Sequence, residues 1–355
     1  MVRLLLAGID TLECAYYLAN SANCDFFAFI GSIKEYLRQS KSRDSQHAKY
    51  GNMEFLVEPY GSGSGYPFIL NNKDFRIQCG EFNNPSFHVK FSSESLWRDS
   101  PQVLHDRFIA WASSAGFEPF KQEGLSRVDF SFDYSVSTMN FDEDSMVTMS
   151  DKDSIHRENN QIQTLTFGKG DVVLRIYNKV AEINQSSHKE WFFDLWGQKE
   201  HVWRIEWQVR KETLKRFGIR TIEELGQKKK GLLKWLSGNH DTLRIPSLDN
   251  NRSRWPLHPL WVDLQMQIEN MEEGDAGNQI EDCASIRSLE KRNVISVYGY
   301  LKRLAAIRSI MLKEKNTSLP EALKRLERQV RRIHDPMTWE MDVEKRIKEM
   351  EHGRW

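Results

Sequence analysis

The sequence predicts an α+β protein in which a strand-rich part precedes a helical part. The chain has 355 residues, enough for two domains that each bury a core. Up to about residue 235 it contains mostly short strand-like segments separated by turns. Three of them, 126–134, 172–180 and 202–210, alternate strictly between polar and apolar residues, which is typical of half-buried strands. Beyond residue 285 the apolar residues instead recur at helical spacing.

Weaker patterns predict the other elements of the strand-rich part. Residues 9–18 alternate loosely and predict a first strand, and residues 26–40 predict a helix. Gly61 to Gly65 form a Gly- and Ser-rich segment, which predicts a flexible loop. Because no Gly-Lys-Ser/Thr follows this segment, a phosphate-binding P-loop is not expected. Further elements are expected as strands near 66–70, 74–79, 86–92 and 162–167 and as a helix over 101–115.

The composition changes after residue 238, so we expect a first domain over 1–238. Pro and Gly lie among Asn, Ser, Asp and Glu from 239 to 285, which predicts a linker or irregular segment. Residues 286–355 predict a basic helical module, with an amphipathic helix around 294–305.

A second helix of this module is expected to begin at Ser318, where Glu321 completes a capping box. Its apolar residues follow a four-three spacing that is typical of helix pairing. They are Leu319, Leu323, Leu326, Val330 and Ile333. This spacing allows a homodimer.

Overall charge gives no support to a nucleic-acid partner, because 50 Lys and Arg balance 50 Asp and Glu. Such a partner would need local basic surfaces. Lys211, Lys215 and Arg216 fall on one predicted helix, and from Arg287 to Arg332 thirteen Lys and Arg stand against four Glu. Contact with phosphate groups and a well-solvated helical hairpin both account for this pattern.

The cysteines indicate a reducing compartment. Cys14, Cys24, Cys79 and Cys283 are scattered and form no CxxC pair, which argues against a zinc module or a disulfide framework. The apolar run from Leu4 to Ala7 is too short for a signal sequence or a membrane span. We therefore expect a cytoplasmic protein without membrane contact.

Each of the three alternating segments has a face that carries charged groups. If the segments are neighbouring strands, these faces converge on one surface. In chain order the polar residues are Arg127, Asp129, Ser131 and Asp133, then Arg175, Tyr177 and Lys179, then Arg204, Glu206, Gln208 and Arg210.

A tyrosine, two acids and several bases together suit cleavage of a phosphodiester bond. The hydroxyl of Tyr177 can attack phosphorus directly, and positive charge from Arg175 and Lys179 would favour its phenolate form. Asp129 and Glu206 are the natural ligands for Mg²⁺ or Mn²⁺, which prefer carboxylate oxygens.

A purely structural interpretation is also open. An isolated Tyr between Arg and Lys in a strand is more often an amphipathic surface residue. Arg204 and Glu206 can form cross-strand ion pairs with Asp129 and Arg127 and have no further role.

Three motifs in order resemble the replication initiation factor family of rolling-circle plasmids, the Rep-trans family, over residues 8–235. Its relatives include relaxases of conjugative elements and phage replication proteins. The motifs are Arg127-Val128-Asp129-Phe130-Ser131-Phe132-Asp133, then Thr164-Leu165-Thr166-Phe167-Gly168 leading into Arg175-Ile176-Tyr177-Asn178-Lys179, then Arg204-Ile205-Glu206 before a basic helix from Lys211 to Phe217.

The resemblance implies a mostly antiparallel central sheet flanked by helices, a variant of the nicking-endonuclease fold in which acidic residues replace histidines. Tyr177 would be the nucleophile, and Asp129 and Glu206 would bind the metal with Asp133 or Asp10 as a third ligand. The DNA-binding residues would be Arg127, Arg204, Arg210, Lys211, Lys215 and Arg216. The partners would be an origin with a single-stranded or cruciform nick site and the host helicase and polymerase.

One departure from the family pattern keeps an alternative open. Many relatives carry Gly-Ser-Arg-x-Ser before the tyrosine strand, whereas this chain has Gly168-Lys169-Gly170-Asp171 and so lacks the hydroxyls. The first hypothesis is a nicking enzyme. The second is a non-catalytic origin-binding or regulatory protein of the same fold, and the third is an interaction protein that uses its C-terminal helices.

Overall fold

The computed structural model describes residues 2–21, 24–41, 43–137, 141–271, 284–312 and 317–351. The chain divides into two units, of which the first contains residues 1–188 and 192–280. The second contains residues 189–191 and 281–355. Within the described ranges, no helix has both the length and the apolar character needed to cross a membrane.

Thirteen strands are present in the described part of the chain. They are β1 (Val2–Asn20), β2 (Gln46–Tyr50), β3 (Met53–Val57), β4 (Phe68–Asn71), β5 (Phe75–Cys79), β6 (Phe87–Phe91), β7 (Phe117–Val136), β8 (Met146–Thr148), β9 (Asp153–Glu158), β10 (Gln161–Phe167), β11 (Val172–Asn178), β12 (Val202–Arg210) and β13 (Asp241–Leu243).

Eleven strands form one sheet, in the order β2-β3-β4-β5-β6-β1-β7-β12-β11-β10-β9. Every neighbouring pair is antiparallel. The three alternating segments therefore lie side by side as β7, β12 and β11. Their register places Arg204 between Asp133 and Tyr177, and Glu206 between Ser131 and Arg175. The predicted mostly antiparallel sheet is confirmed.

Helices cover both faces of this sheet in the first unit. They are α1 (Phe26–Gln39), α2 (Ser93–Arg98), α3 (Pro101–Ser114), α4 (Lys179–Glu182), α5 (Trp191–Trp196), α6 (Lys211–Arg216), α7 (Ile222–Trp235) and α8 (Pro259–Glu269). Tyr16 of β1 contacts Phe108 of α3 on the apolar face, with ring centroids 4.4 Å apart. Trp97 of α2 reaches the opposite, polar face and donates to Asp10 at 3.0 Å.

The described part of 239–285 is not a linker between the units, because residues up to 271 belong to the first unit, but most of 244–258 is irregular. β13 pairs with β8, and α8 packs against the sheet. Trp261 is fully buried with its ring centroid 5.6 Å from that of Trp207 in β12. Burial of an aromatic side chain of this size contributes about 2–3 kcal/mol. Apolar contact thus overrides the Pro- and Gly-rich composition. Residues 272–283 lie outside the described residues.

The second unit is helical, as predicted. Its helices are α9 (Ala284–Leu312), α10 (Leu319–Ile333) and α11 (Pro336–Glu351). The backbone N–H of Ser318 donates to Glu321 at 3.0 Å, so the predicted cap of α10 is confirmed.

Candidate active site

Tyr177 and Glu206 lie together on the polar face of the sheet. The hydroxyl of Tyr177 donates to Oε2 of Glu206 at 2.9 Å, and Nη1 of Arg175 donates to Oε1 of the same carboxylate at 3.0 Å. Arg175 also donates to Gln208 at 3.3 Å. Both oxygens of Glu206 therefore accept hydrogen bonds. A tyrosine, an acid and an arginine from two neighbouring strands thus meet, as the alternating pattern predicts.

The environment of Tyr177 opposes ionisation of the phenol. Its side chain is only 9 % exposed. Burial raises the pKa of Tyr177 well above its ordinary value, Glu206 raises it further, and Arg204 acts in the opposite direction. The prediction that neighbouring positive charge makes this phenol acidic is wrong. A hydrogen-bonded carboxylate stands at the hydroxyl instead.

Lys179 does not take the position that the alternating pattern predicts. β11 ends at Asn178, whose side chain accepts from the backbone N–H of Ala181 at 3.1 Å, so Lys179 begins α4. The buried ammonium lies 2.7 Å from Glu182 and 5.5 Å from the centroid of the Tyr177 ring. Pairing with Glu182 offsets part of the positive charge that Lys179 brings to Tyr177.

Asp129 is a second buried carboxylate on this face. Its oxygens accept from Nε and Nη2 of Arg127 at 2.8 and 2.5 Å. Burial raises the pKa of Asp129 to about 6; the hydrogen bond from Arg127 acts against this shift, whereas the charges of Glu206 and Asp10 add to it. Glu206 and Asp10 therefore lie close enough to Asp129 for their charges to disfavour its ionised form.

This shift predicts a pH-dependent contribution to stability. The folded-state pKa of about 6 lies above the ordinary value of 3.8, so between these values the folded protein holds a proton that the unfolded chain has released. The contribution is present below pH ~4 and is lost as the pH rises to ~6, with a size of at most about 3 kcal/mol. We expect urea unfolding from pH 4 to 7 to show this loss in wild type but not in Asp129→Asn. Asp194→Asn, at an exposed position, serves as the control, and identical pH profiles of wild type and Asp129→Asn would contradict the assignment.

Asp133 and Arg204 form a buried ion pair. Arg204 is fully buried and donates to both carboxylate oxygens of Asp133 at 2.6 and 2.8 Å, and to Asp10 at 3.0 Å. Trp196 donates a further hydrogen bond to Asp133 at 3.0 Å. Burial alone would lower the pKa of Arg204, but Asp133 and the other acids raise it well above its ordinary value. Because each of these side chains is buried and paired with the other, the predictions that Asp133 binds a metal and that Arg204 contacts DNA are both corrected.

Of the residues predicted to bind a metal, Asp129 and Glu206 are the two that remain candidates on this face. Among the described residues, no group of three or more His, Cys, Asp or Glu could hold a metal ion. Mg²⁺ commonly binds through one or two carboxylates with water and substrate phosphate, and Asp129 and Glu206 fit that pattern. The hydroxyl of Ser131, directly opposite Glu206 in the register, is a buried oxygen without a hydrogen-bond partner. In this structure Arg127 donates hydrogen bonds to Asp129, and Arg175 donates a hydrogen bond to Glu206.

The remaining predicted DNA-binding residues divide by exposure. Arg127 is partly exposed and tied to Asp129. Arg210 is exposed at the end of β12, and Lys211, Lys215 and Arg216 are exposed on α6. These four form a basic edge at the end of the sheet, which is accessible to a phosphate backbone.

Asp10, the alternative third ligand, lies at a bulge of β1, where the register with β7 skips from Ile9 to Thr11. Its carboxylate accepts from Arg204, Trp97 and Ser93. Asp10 therefore serves the buried ion pair rather than a metal.

Two aromatic residues complete this part of the site, and no sequence pattern singles them out. Trp97 and Phe192 lie over the guanidinium of Arg204, with ring centroids 5.7 and 4.6 Å from its central carbon. Both belong to helices that cover the polar face, α2 and α5. Their approach to Arg204 depends on how these helices pack, which strand alternation does not encode.

No protein-family model and no curated protein matches the chain. Among solved structures, the chain is similar to that of a rolling circle replication initiator protein from Geobacillus stearothermophilus. The similarity covers 78% of this chain and 100% of that chain, with 16% identity and a TM-score of 0.40. At this identity and TM-score it supports no statement about function, and the family named from the motifs stays a prediction.

Proposed function

We propose that this protein initiates rolling-circle replication or transfer of a mobile element by nicking one DNA strand with Tyr177. The observation that carries the proposal is the hydrogen bond from the Tyr177 hydroxyl to Glu206, on a sheet face that also holds Asp129 and Arg175. A nucleophile in contact with its proton acceptor is the arrangement that covalent catalysis requires. The motif resemblance to replication initiation factors supports the same activity.

In the proposed reaction, the phenolic oxygen of Tyr177 attacks phosphorus as its proton passes to Oε2 of Glu206. A bond forms between that oxygen and phosphorus, and the bond from phosphorus to the 3′ oxygen breaks. The 3′ oxygen takes a proton from water and leaves as a free hydroxyl, which a host polymerase can extend. Because the pKa of Tyr177 is raised, proton transfer has to accompany attack rather than precede it.

Substrate binding has to rearrange the site. Tyr177 is 9 % exposed, so a phosphate can reach its hydroxyl only if the covering side chains move. Arg175, whose side chain is 33% exposed, can exchange Glu206 for the incoming phosphate. This exchange frees one oxygen of Glu206 at the moment when the anionic substrate arrives.

Asp129 and the freed oxygen of Glu206 would hold Mg²⁺ or Mn²⁺. When bound, the cation would neutralise charge that develops on the phosphate. The protein contributes two carboxylates from the neighbouring strands β7 and β12. Arg127 holds Asp129 in place until the cation binds.

The first two residues of the basic edge, Arg210 and Lys211, are proposed to bind the duplex that flanks the nick. We expect the double variant Arg210→Ala/Lys211→Ala to weaken DNA binding and to lower the slope of log affinity against log salt by about 1.8, or roughly 0.9 for each phosphate that is no longer neutralised. Fluorescence anisotropy between 50 and 200 mM salt measures this. Lys199→Ala, at an exposed position before β12, is the control. An unchanged slope in the double variant would show that Arg210 and Lys211 do not contact the DNA.

A non-catalytic DNA-binding protein is the second candidate function. It is favoured by the burial of Tyr177 and by the occupation of both Glu206 oxygens. Supercoiled plasmid with the cognate origin and Mn²⁺ separates the two candidates. Relaxation with a covalent protein–DNA adduct supports the first, and binding without either supports the second.

We also propose that the second unit mediates a homodimer through α10. Four apolar residues on this helix are exposed, and an unpaired apolar stripe is typical of association surfaces. They are Leu319, Leu323, Val330 and Ile333. Sedimentation velocity over a range of concentrations tests this, and a monomer throughout would contradict it.

A further inference from the structure

A cleft of about 400 Å³ opens at the end of the sheet, away from the polar-face site. Its walls come from the turn between β10 and β11, the segment before β9, α6 and the end of α7. Five of the lining residues define its chemistry. They are Lys152, Lys169, Arg216, Trp235 and His240.

The turn at this cleft is fixed in position against α6. The carboxylate of Asp171 accepts from the backbone N–H groups of Thr213 and Glu212 at 2.5 and 3.3 Å. Gly168 has φ of +96°, and a Cβ at this position would lie 2.5 Å from the carbonyl oxygen of Val172. The turn therefore requires glycine, and it presents Lys169 from a rigid base.

One wall of the cleft is aromatic. Trp235 is half-buried, with its ring centroid 5.2 Å from that of Phe217 and 5.1 Å from that of His240. These two contacts fix the orientation of the indole. Arg216 lies over the same ring at 5.8 Å. A rigid indole beside a guanidinium is a surface on which a nucleobase can stack.

The rim of the cleft carries positive charge. Lys152, Lys169 and Arg216 are exposed and form no ion pair within the part of the chain that the structure describes. Two acids also line the cleft. Asp171 accepts hydrogen bonds from backbone N–H groups, and Asp151 is exposed. Cations beside an aromatic wall match a ligand that has both a phosphate and a base.

This cleft is separate from the site of Tyr177. Val172 lines the cleft and begins β11, whereas Tyr177 lies five residues further along the strand, about 17 Å away at roughly 3.3 Å per residue. Val172 also shares a face with Leu174 and Ile176, which is the apolar face rather than the polar one. A ligand in the cleft therefore does not contact the nicking residues.

We propose that this cleft binds one nucleotide of a single DNA strand, with the base on Trp235 and the phosphate held by Lys169 and Arg216. This goes beyond the proposed nicking, because the binding does not use Tyr177. It gives the protein a second point at which it holds the displaced or unpaired strand. The same chemistry would accept a free nucleotide, and comparison of a strand with a mononucleotide separates the two ligands.

The test uses the full chain with Tyr177→Phe, so that nicking plays no part. An oligonucleotide with 5-bromodeoxyuridine is photo-crosslinked, and the attached peptide is identified by mass spectrometry. Affinities for oligothymidylate and for thymidine monophosphate are measured by anisotropy and calorimetry. The variant is Lys169→Ala/Arg216→Ala, both at exposed positions, and the control is Lys199→Ala. Trp235→Leu, checked for folding by circular dichroism, tests the aromatic wall separately.

We expect the crosslink to fall at Trp235 and the double variant to bind the oligonucleotide at least about tenfold more weakly, which corresponds to about 1.4 kcal/mol, because two charge-assisted contacts to phosphate are lost. Binding of the oligonucleotide but not the monophosphate assigns the site to a strand, and equal weakening of both in the variant assigns it to a nucleotide in either form. Crosslinks only elsewhere, with unchanged affinity in the variant, would overturn the inference and leave the nicking proposal standing. Failure of the protein to bind any DNA would overturn both.

Discussion

Tyr177→Phe is expected to abolish relaxation of a supercoiled plasmid carrying the cognate origin, with a loss of at least about 10⁴-fold in rate. Without the phenolic oxygen no phosphotyrosine bond can form. The phenylalanine ring fills the same space, so we expect the fold to persist. The cost in stability should be about 1–3 kcal/mol, because the buried carboxylate of Glu206 loses the hydrogen bond that the Tyr177 hydroxyl donates to its Oε2.

The chain offers a matched control for this substitution. Tyr134 lies on β7, which is separated from β11 by β12, is fully buried, and donates to Asp263 at 2.9 Å. It points to the apolar face, away from the site. Tyr134→Phe should therefore lose a comparable hydrogen bond but keep nicking activity.

Gel electrophoresis of the plasmid with Mn²⁺, and after removal of Mn²⁺ with a chelator, measures relaxation. Denaturing gels measure the covalent adduct. Relaxation that persists in Tyr177→Phe would show that another group attacks the phosphate. Loss of relaxation in both tyrosine variants would indicate damage to the fold rather than loss of a nucleophile.

Arg204→Leu is expected to lower the free energy of unfolding by about 3–5 kcal/mol, the largest effect on stability that we predict. The guanidinium is fully buried and holds Asp133 and Asp10 together. Its removal leaves two carboxylates beneath Trp97 and Phe192 without their counter-ion. Desolvation of those charges is the physical source of the loss.

Urea unfolding of wild type, Arg204→Leu and Arg157→Leu tests this prediction. Arg157 is half exposed and pairs with Glu143 at 3.1 Å, so its removal should cost no more than about 1 kcal/mol. The double variant Arg204→Leu/Asp133→Leu should recover part of the stability, because the orphaned charge is removed with its partner. Similar losses for both single arginine variants would refute a special role for the buried pair.

Local sequence patterns were sufficient to assign the polar and apolar faces of the three strands around the candidate site. Strict alternation has a period of two, so it fixes which residues of β7, β11 and β12 share a face wherever those strands lie. Tyr177, Glu206 and Asp129 were placed together on that basis, and the register agrees. The cap at Ser318 was equally local, because it needs only Glu321 three residues further along the chain.

Which charged groups are free for chemistry depends instead on contacts that only the folded chain makes. Asp129 and Asp133 are equivalent in the sequence pattern, but one is held by Arg127 and the other is enclosed with Arg204. The difference comes from elements that cover the sheet, α2 and α5, whose positions no strand pattern encodes. The pKa of Tyr177 and the inclusion of Trp261 in the core likewise depend on residues far apart in the chain. Alternation fixes the face of the sheet on which each side chain lies. Burial and ion pairing depend instead on the side chains that other elements bring into contact with it.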